Sequence, residues 1–486
     1  MALLFHVLAS SSVVLRPPRA HRASRCCTVQ MDGSEFIPPL TGRPLITYDS
    51  TRKGISLSVV KGMHEVTCDE WDAVAQCSNG NPFLTWEFLH ALEESGSVGP
   101  NQGWMPQHLV ARDQDTKQLL GCVPLYLKSH SYGEYVFDHA WSRAYRSAAG
   151  GPLAPAGGYY PKLQACVPFT PVTGPRILVM GGENPERQQA LHEVLTRGLI
   201  ALVHRLGVSS CHATFTSRED CDAAGRLGFL PRLGLQYHWQ NVNYSSFEDY
   251  LMSLKQSRRK AIRRERRKVT EAGVRIRRLR GAQITSAHWD AFYSFYCQTA
   301  EEKWGRSYLT RRFFDLAFGD ITGNGEDVSS TSSLRDRALL ILAEDASTGE
   351  PIAGALNVIG DDCIFGRHWG CSKHYDALHF EMCYYQAIEV AIELGLPRVE
   401  AGAQGEHKIA RGYLPTLTHS AHYLRDPGFR KSVASFLDVE REQTYISLAR
   451  ISIERNPYKS SPKEHLHRQG IRVVGKRIII GEEKNT

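Results

Sequence analysis

"RVEAGAQGEHKIARGYLP", residues 398–415, sets Glu, Gln, His, Lys and Arg among glycines and a proline. Its reading decides the fold, because "DDCIFGRHWGCS" (Asp361–Ser372) and "HFEMCYYQAIEVAIELGLP" (His379–Pro397) precede it. Phe380, Tyr384, Ala387, Ile388, Ala391 and Ile392 recur at helical spacing, and Gly395 and Pro397 stop the pattern. A strand, helix and strand of this length form a parallel crossover, right-handed almost without exception. Both strands then point the same way, so residues 368–372 and 403–407 share one sheet edge, the edge where α/β sheets bind ligands. Topology places the polar stretch at that edge.

The same order of features occurs twice. "EWDAVAQC" (Glu70–Cys77) and "HWDAFYSF" (His288–Phe295) are followed by "HLVARDQDTKQLLGCVPLYL" from His108 and "LLILAEDASTGEPIAGALNVIG" from Leu339. In both, an apolar run ends in an acid, turns through Asp, Thr and Gly, and resumes, which predicts an antiparallel hairpin. In the first half Leu191, Val194, Leu195, Leu199, Leu202, Val203 and Leu206 predict a helix stopped by Gly207, then a strand at "SSCHATF". The expected fold is α/β (α+β) with mixed sheets. The expected organisation is a targeting segment (1–50), a first module (55–244), a basic helical connector (245–275), a second module (276–450) and a tail (451–486).

The 486 residues are 42% hydrophobic and 22% charged, as in ordinary soluble globular chains. No apolar run past the N-terminus reaches the roughly 18 residues of a membrane span. The twelve cysteines form no C-x-x-C pair, which excludes a zinc ribbon or disulfide framework, and His419 with His422 lacks further ligands, so no metal is expected. "MALLFHVLASSSVVLRPPRAHRASRCCTVQMDG" has Arg and Ser but no acid before Asp32, which predicts import into the plastid, with the mitochondrion as the alternative.

Net charge is +7, and "KQSRRKAIRRERRK" (Lys255–Lys268) alone holds nine basic residues against one acid. Ser245 with Glu248 reads as a capping box and Gly273 as a stop, so the run lies on a helix, packed in its first half and too charged to bury in its second. Arg258, Arg259, Arg263 and Arg266 are candidates for phosphate contact with RNA or another acidic surface; a solvated arm between modules is the alternative.

"GRHWGCS", "HFEMCYYQAIEVAIELGLPRVEAGA" and "KIARGYLP" resemble the FemABX-like branch of the GCN5-related acyltransferases. More specifically, "NPFLTWEFLHALEESGSVG", "PLYLKSHSYGEYVFDHAW", "YYPKLQACVPFTPVTGPR" and "EAGAQGEHKIARGYLP" resemble the bacterial peptidoglycan biosynthesis/recognition proteins, from about Asn81 to Phe436. The resemblance implies tandem GCN5-related acyltransferase-like modules. It implies transfer of an acyl or aminoacyl group from acyl-CoA or aminoacyl-tRNA to an amine-bearing substrate, with no tightly bound cofactor and tRNA as a candidate partner. Lys128, Tyr135 and the loop Pro168–Arg176, with Phe169, Thr170 and Thr173, would contact the acceptor. Where the family has aromatic-Lys-x-Gly-Phe this chain has "IARGYLP", so Lys408 is near the expected lysine but shifted.

Amine acylation needs a proton acceptor and donors for the developing oxyanion. Glu406 and His407 are the base candidates at the strand exit; a carboxylate that caps the loop and a packed histidine are their structural alternatives. Tyr413 reads as a general acid or as packing. Arg367, Trp369, Gly370 and Ser372 make a near match to R-x-x-G-x-G/A, the acetyl-CoA pyrophosphate loop, with Ser372 in place of Gly or Ala, and predict a glycine turn before a helix. Gly402, Gln404 and Gly405 shape the exit, and Lys408 and Arg411 suit an anionic donor or acceptor. The reading from another class is a non-catalytic module that recognises a peptide, glycan or RNA in the same cleft.

Overall fold

The computed structural model describes residues 54–78, 80–148, 158–182, 184–319, 333–402, 405–474 and 477–480. The expected targeting segment, Ala403 and Gln404 lie outside the described residues. The fold is mixed α/β, as expected. Its strands are β1 (Ile55–Val60), β2 (Trp104–Pro106), β3 (His108–Asp113), β4 (Leu119–Val123), β5 (Leu125–Lys128), β6 (Lys162–Ala165), β7 (Leu178–Val179), β8 (Ser210–Thr216), β9 (Leu230–Gln240), β10 (Val274–Arg280), β11 (Ala338–Asp345), β12 (Pro351–Ile359), β13 (Cys363–Cys371), β14 (Arg398–Ala401), β15 (Leu414–Leu424), β16 (Ile471–Val474) and β17 (Arg477–Ile480). One sheet runs β1-β3-β4-β7 and the large one β10-β11-β12-β13-β14-β9-β15-β8-β6-β5-β2. Pro106 and Pro124 lack the N–H that would continue a ladder, and the chain passes between the two sheets at both.

Both expected hairpins form, β3 with β4 and β11 with β12. The helix that matters in the first half is α1 (Pro185–Leu206), closed by Gly207 at φ 68. The basic segment divides into α2 (Phe247–Ser253) and α3 (Gln256–Glu271), because Leu254 is extended. This corrects the single helix expected there. The cap is Ser246, whose hydroxyl accepts from the Asp249 N–H, one residue beyond the expected Ser245 and Glu248 pair. The second "WDA" helix is α4 (Ser286–Trp304).

The crossover between β13 and β14 is parallel, as the spacing requires. Its helix, here α5, runs through Leu378–Phe380, a π-turn at Glu381–Tyr385, and Gln386–Glu393. Beyond β15, α6 (Pro427–Glu454) packs on β9 and β15. The segment read as a tail instead carries α7 (Lys463–Arg468) and the β16–β17 hairpin, with Leu466 and Ile471 packed against Leu448 and Ala449 of α6.

β9 and β15 join the halves. β9 comes from the first half yet pairs with β14, β15 comes from the second half yet pairs with β8, and the two pair with each other. His238 faces Glu400 on one side and Leu414 on the other; His422 faces His212 and Leu230. Leu230 and Leu414, like His238 and His422, are 184 residues apart, so a local two-fold carries β9 onto β15. The strands repeat in sequence as well: "LPRLGLQYHW" and "LPTLTHSAHY" share Leu-Pro, the next Leu and the His, followed by an aromatic.

Candidate functional site

β13 pairs with β14 from Cys363–Arg398 to Gly366–Ala401 and no further. β14 then ends and turns through Gly402, whose φ of 73 suits glycine, whereas β13 continues to Cys371 on its β12 side. Leu356 faces His368 and Asn357 faces Gly366, so Arg367 is an extra, bulged residue. Bulges of this kind re-aim side chains beside active sites. From Arg367 to Cys371 no described strand pairs with the edge of β13 that turns toward β14.

Gly370 and Ser372 do not form the expected phosphate turn. Gly370 is within β13, where an added Cβ would lie 2.1 Å from the Phe295 carbonyl oxygen, and the Ser372 N–H donates to the Ile352 carbonyl at 2.9 Å. The close approach of α4 accounts for a glycine here.

One mouth of the opening is cationic and aromatic. Residues Glu406–Arg411 form a 3-10 turn entered at Gly405, φ 113. Lys408 is 2% exposed, donates to the Gly402 carbonyl at 2.9 Å, and is pushed down to about 8 by burial. Arg411 is buried on the Phe380 ring, 3.3 Å from its centroid, and pairs with Glu265 at 2.8 Å. His407 meets the Tyr384 hydroxyl at 2.8 Å, and desolvation, then the charges of Lys408 and Arg411, lower its pKa. Trp369 packs edge-on to His379, which burial pushes down to about 3. Glu406 is exposed and paired with Arg455, so it holds the turn to the end of α6. Tyr413 is wholly buried, its hydroxyl without a hydrogen bond and its acidity suppressed by burial, and it packs on Tyr384. Tyr413 fits the packing alternative.

The other mouth lies between the halves. Arg367 donates to the Phe169 carbonyl at 2.6 Å, Phe169 stacks on Tyr308 at 4.5 Å, and Tyr308 meets Tyr135 hydroxyl to hydroxyl at 3.1 Å. Tyr135 and Phe169 both hold positive φ, 58° and 57°, a strain that surrounding contacts must enforce. Thr170 bonds the Pro168 carbonyl, and the Thr173 hydroxyl is buried without a hydrogen bond. Lys128 sits 3.3 Å above the Trp104 ring, pushed down to about 7 by burial against the pull of Glu134, and Trp104 packs on Phe169. Lys128, Tyr135, Phe169 and Thr170, expected to contact the acceptor, thus lie near one another, and Arg367, expected in the donor loop, joins them through the Phe169 carbonyl.

The chain matches the FemAB-like family, described as peptidoglycan biosynthesis/recognition, over residues 62–460. It belongs to that family. Solved structures similar to it include FemX (11% identity, 76% of this chain and 98% of that one, TM-score 0.44) and L-PGS from Bacillus licheniformis (10%, 76% and 97%, 0.42). A tandem GNAT protein from the clavulanic acid biosynthesis pathway is also similar (12%, 77% and 99%, 0.38). No curated protein matches. Among the described residues of this FemAB-like chain, no three His, Cys, Asp or Glu could hold a metal ion, and no helix is long and apolar enough to cross a membrane.

The basic helix of this family member divides its arginines by role. Arg266 bonds Glu381 at 3.0 Å and Glu389 at 2.6 Å and lies on the Phe247 ring, so it fixes α3 to α5 and is not free for phosphate. Arg263 pairs with Glu248, and Arg259 is half-buried. Arg258 stays exposed. Two residues that sequence reading missed are Glu400 and His238. Glu400 reads as an ordinary polar position in "RVEAGA"; the repeated Leu-Pro-x-Leu…His pattern of β9 and β15 was the signal that leads to both.

Proposed function

We propose that the chain transfers an acyl or aminoacyl group from an activated donor to an amine at the opening between β13 and β14. The observation that carries this reading is the unpaired edge of Arg367–Cys371 in β13. Lys408 brings positive charge beside Gly402, at the end of β14, which suits a phosphate-bearing donor, whether a CoA thioester or an aminoacyl-tRNA ester. The other mouth, built by Tyr135, Phe169, Tyr308 and Arg367 from both halves, suits an acceptor whose polar groups can replace the aromatic hydroxyl contacts. Membership of the FemAB-like family supports the same chemistry.

The test offers wild-type protein acetyl-CoA or aminoacyl-tRNA with alkylamines and amino-sugar peptides, and follows amide formation by mass spectrometry. Turnover that falls when Trp369→Ala widens and Lys408→Met discharges the first mouth supports the reading. A donor that raises the unfolding temperature but is never consumed would favour a recognition module in the same cleft.

A further inference from the structure

Glu400 sits one residue from the end of β14, 4% exposed, and neither carboxyl oxygen has a hydrogen bond. Arg398 Nε is 3.5 Å away and His238 Nδ1 is 3.9 Å away. An ionised carboxylate left this poorly solvated is costly to bury, so the site favours a carboxyl that can hold a proton. Its neighbours agree. Gln236 donates its amide N–H to the Pro171 carbonyl at 2.8 Å, which leaves the Gln236 side-chain oxygen as an acceptor. His238 Nε2, 3.1 Å from that oxygen, therefore carries the ring proton, and Nδ1 presents its lone pair to Glu400. Burial holds His238 down to about 3, so the ring stays neutral. A protonated Glu400 can donate to Nδ1; an ionised Glu400 has nothing to accept from it. The pair gains its hydrogen bond only when Glu400 takes up a proton.

The charged and titratable groups facing Glu400 are Arg398 on its own strand, Asp362 and Cys363 at the start of β13, Arg367 at the bulge, Arg176 from the first-half loop, and His238. Arg367 and Arg176 set Glu400 on the side of the mouth shared by the two halves. In the first half the local two-fold puts His212 and His422 at the places of Glu400 and His238, with ring nitrogens 2.8 Å apart. That half keeps the geometry but has no carboxyl there. At this position the second half has a carboxylate and the first half an imidazole.

We propose that Glu400 is the proton acceptor for the amine, with His238 and Gln236 as positioning residues. This rests on the acyl-transfer reading and deepens it. The alkylammonium gives one proton to the Glu400 carboxylate, the free amine nitrogen attacks the carbonyl carbon, the bond from that carbon to the donor's sulfur or oxygen breaks with its electron pair, and the second proton lost by nitrogen passes to solvent. Glu400 then gives the proton to the leaving sulfur or oxygen, and the carboxylate is regenerated. Burial, against the opposing charge of Arg398, raises Glu400 to about 7, in the range a base needs near neutral pH.

The experiment compares wild type, Glu400→Gln and Glu400→Asp in single-turnover amide formation across pH, using the donor that the wild type consumes. One acceptor is an alkylamine; the other is hydroxylamine, which is already unprotonated at neutral pH. The wild-type rate on the alkylamine should rise through about pH 7, and Glu400→Gln should lose roughly 100-fold or more and lose that inflection. Glu400→Asp should recover part of the rate, and the loss on hydroxylamine should be much smaller. Unfolding midpoints should not fall in Glu400→Gln, since it mimics the protonated side chain. An active wild type with Glu400→Gln within about threefold of it, or with equal losses on both acceptors, overturns the assignment alone. A wild type inert with every donor overturns the transfer reading, and the assignment with it.

Discussion

Replacing Gly370 by Ala separates a strand from a phosphate loop. A Cβ on Gly370 would lie 2.1 Å from the Phe295 carbonyl oxygen, 2.2 Å from its carbon and 2.7 Å from the Tyr296 nitrogen, all backbone of α4. Ordinary contact is about 3.5 Å or more, so α4 would have to retreat by over about 1 Å. That helix cannot slide freely, because Trp289, Phe292 and Tyr296 are buried in the first core cluster. Overpacking of this kind costs about 3 kcal/mol, the upper end for one inserted methyl, since no side chain can rotate away. The assay is urea unfolding followed by tryptophan fluorescence. A loss below about 1 kcal/mol would refute the reasoning, because it is what a solvent-facing loop, with Ala allowed by R-x-x-G-x-G/A, would show.

Lys408 gives a pH test. Its value is lowered from 10.5 to about 8 in the fold, so the penalty on the buried ammonium is full below pH 8 and is relieved as pH rises from 8 to 10.5. Wild type should therefore gain up to about 3 kcal/mol over that window relative to Lys408→Met, and a flat difference would contradict it. On the basic helix, Arg266→Glu should cost about 2 kcal/mol or more by facing Glu381 and Glu389 with a third carboxylate, read by denaturant midpoint. Arg258→Glu with Arg264→Glu, two exposed positions of α3, should leave stability unchanged and weaken any salt-sensitive RNA association; if Arg266→Glu alone abolished that association at unchanged stability, the division of roles would fail. Residues 1–50 fused to a fluorescent protein should direct it to plastids, and diffuse cytosolic signal would sink that expectation.

Local periodicity carried most of the architecture. The α1 and α5 stripes, both hairpins and the parallel crossover were legible because each rests on contacts within some 40 residues of sequence. The exchange of β9 and β15 was not, since an isolated eleven-residue strand carries no mark of its partner; only the repeated Leu-Pro and His across 184 residues records it. The site followed the same divide. The place of Lys408 and Arg411 after a strand was legible, whereas the burial of Tyr413 on Tyr384 and the pairing of Glu406 with Arg455 depend on partners outside the segment. Glu400 was hidden because its burial comes from β9, a strand of the other half.

The central claim is that the edge of β13 beyond Gly366 receives the donor. Amide hydrogen exchange resolved to Arg367–Cys371 tests it most directly. The amides on the β14-facing side should exchange readily in the free protein, unlike the β12-bonded ones, and should become protected when the donor that is consumed is present in excess. Protection already complete in the free protein, or unchanged by a bound donor, would contradict the account.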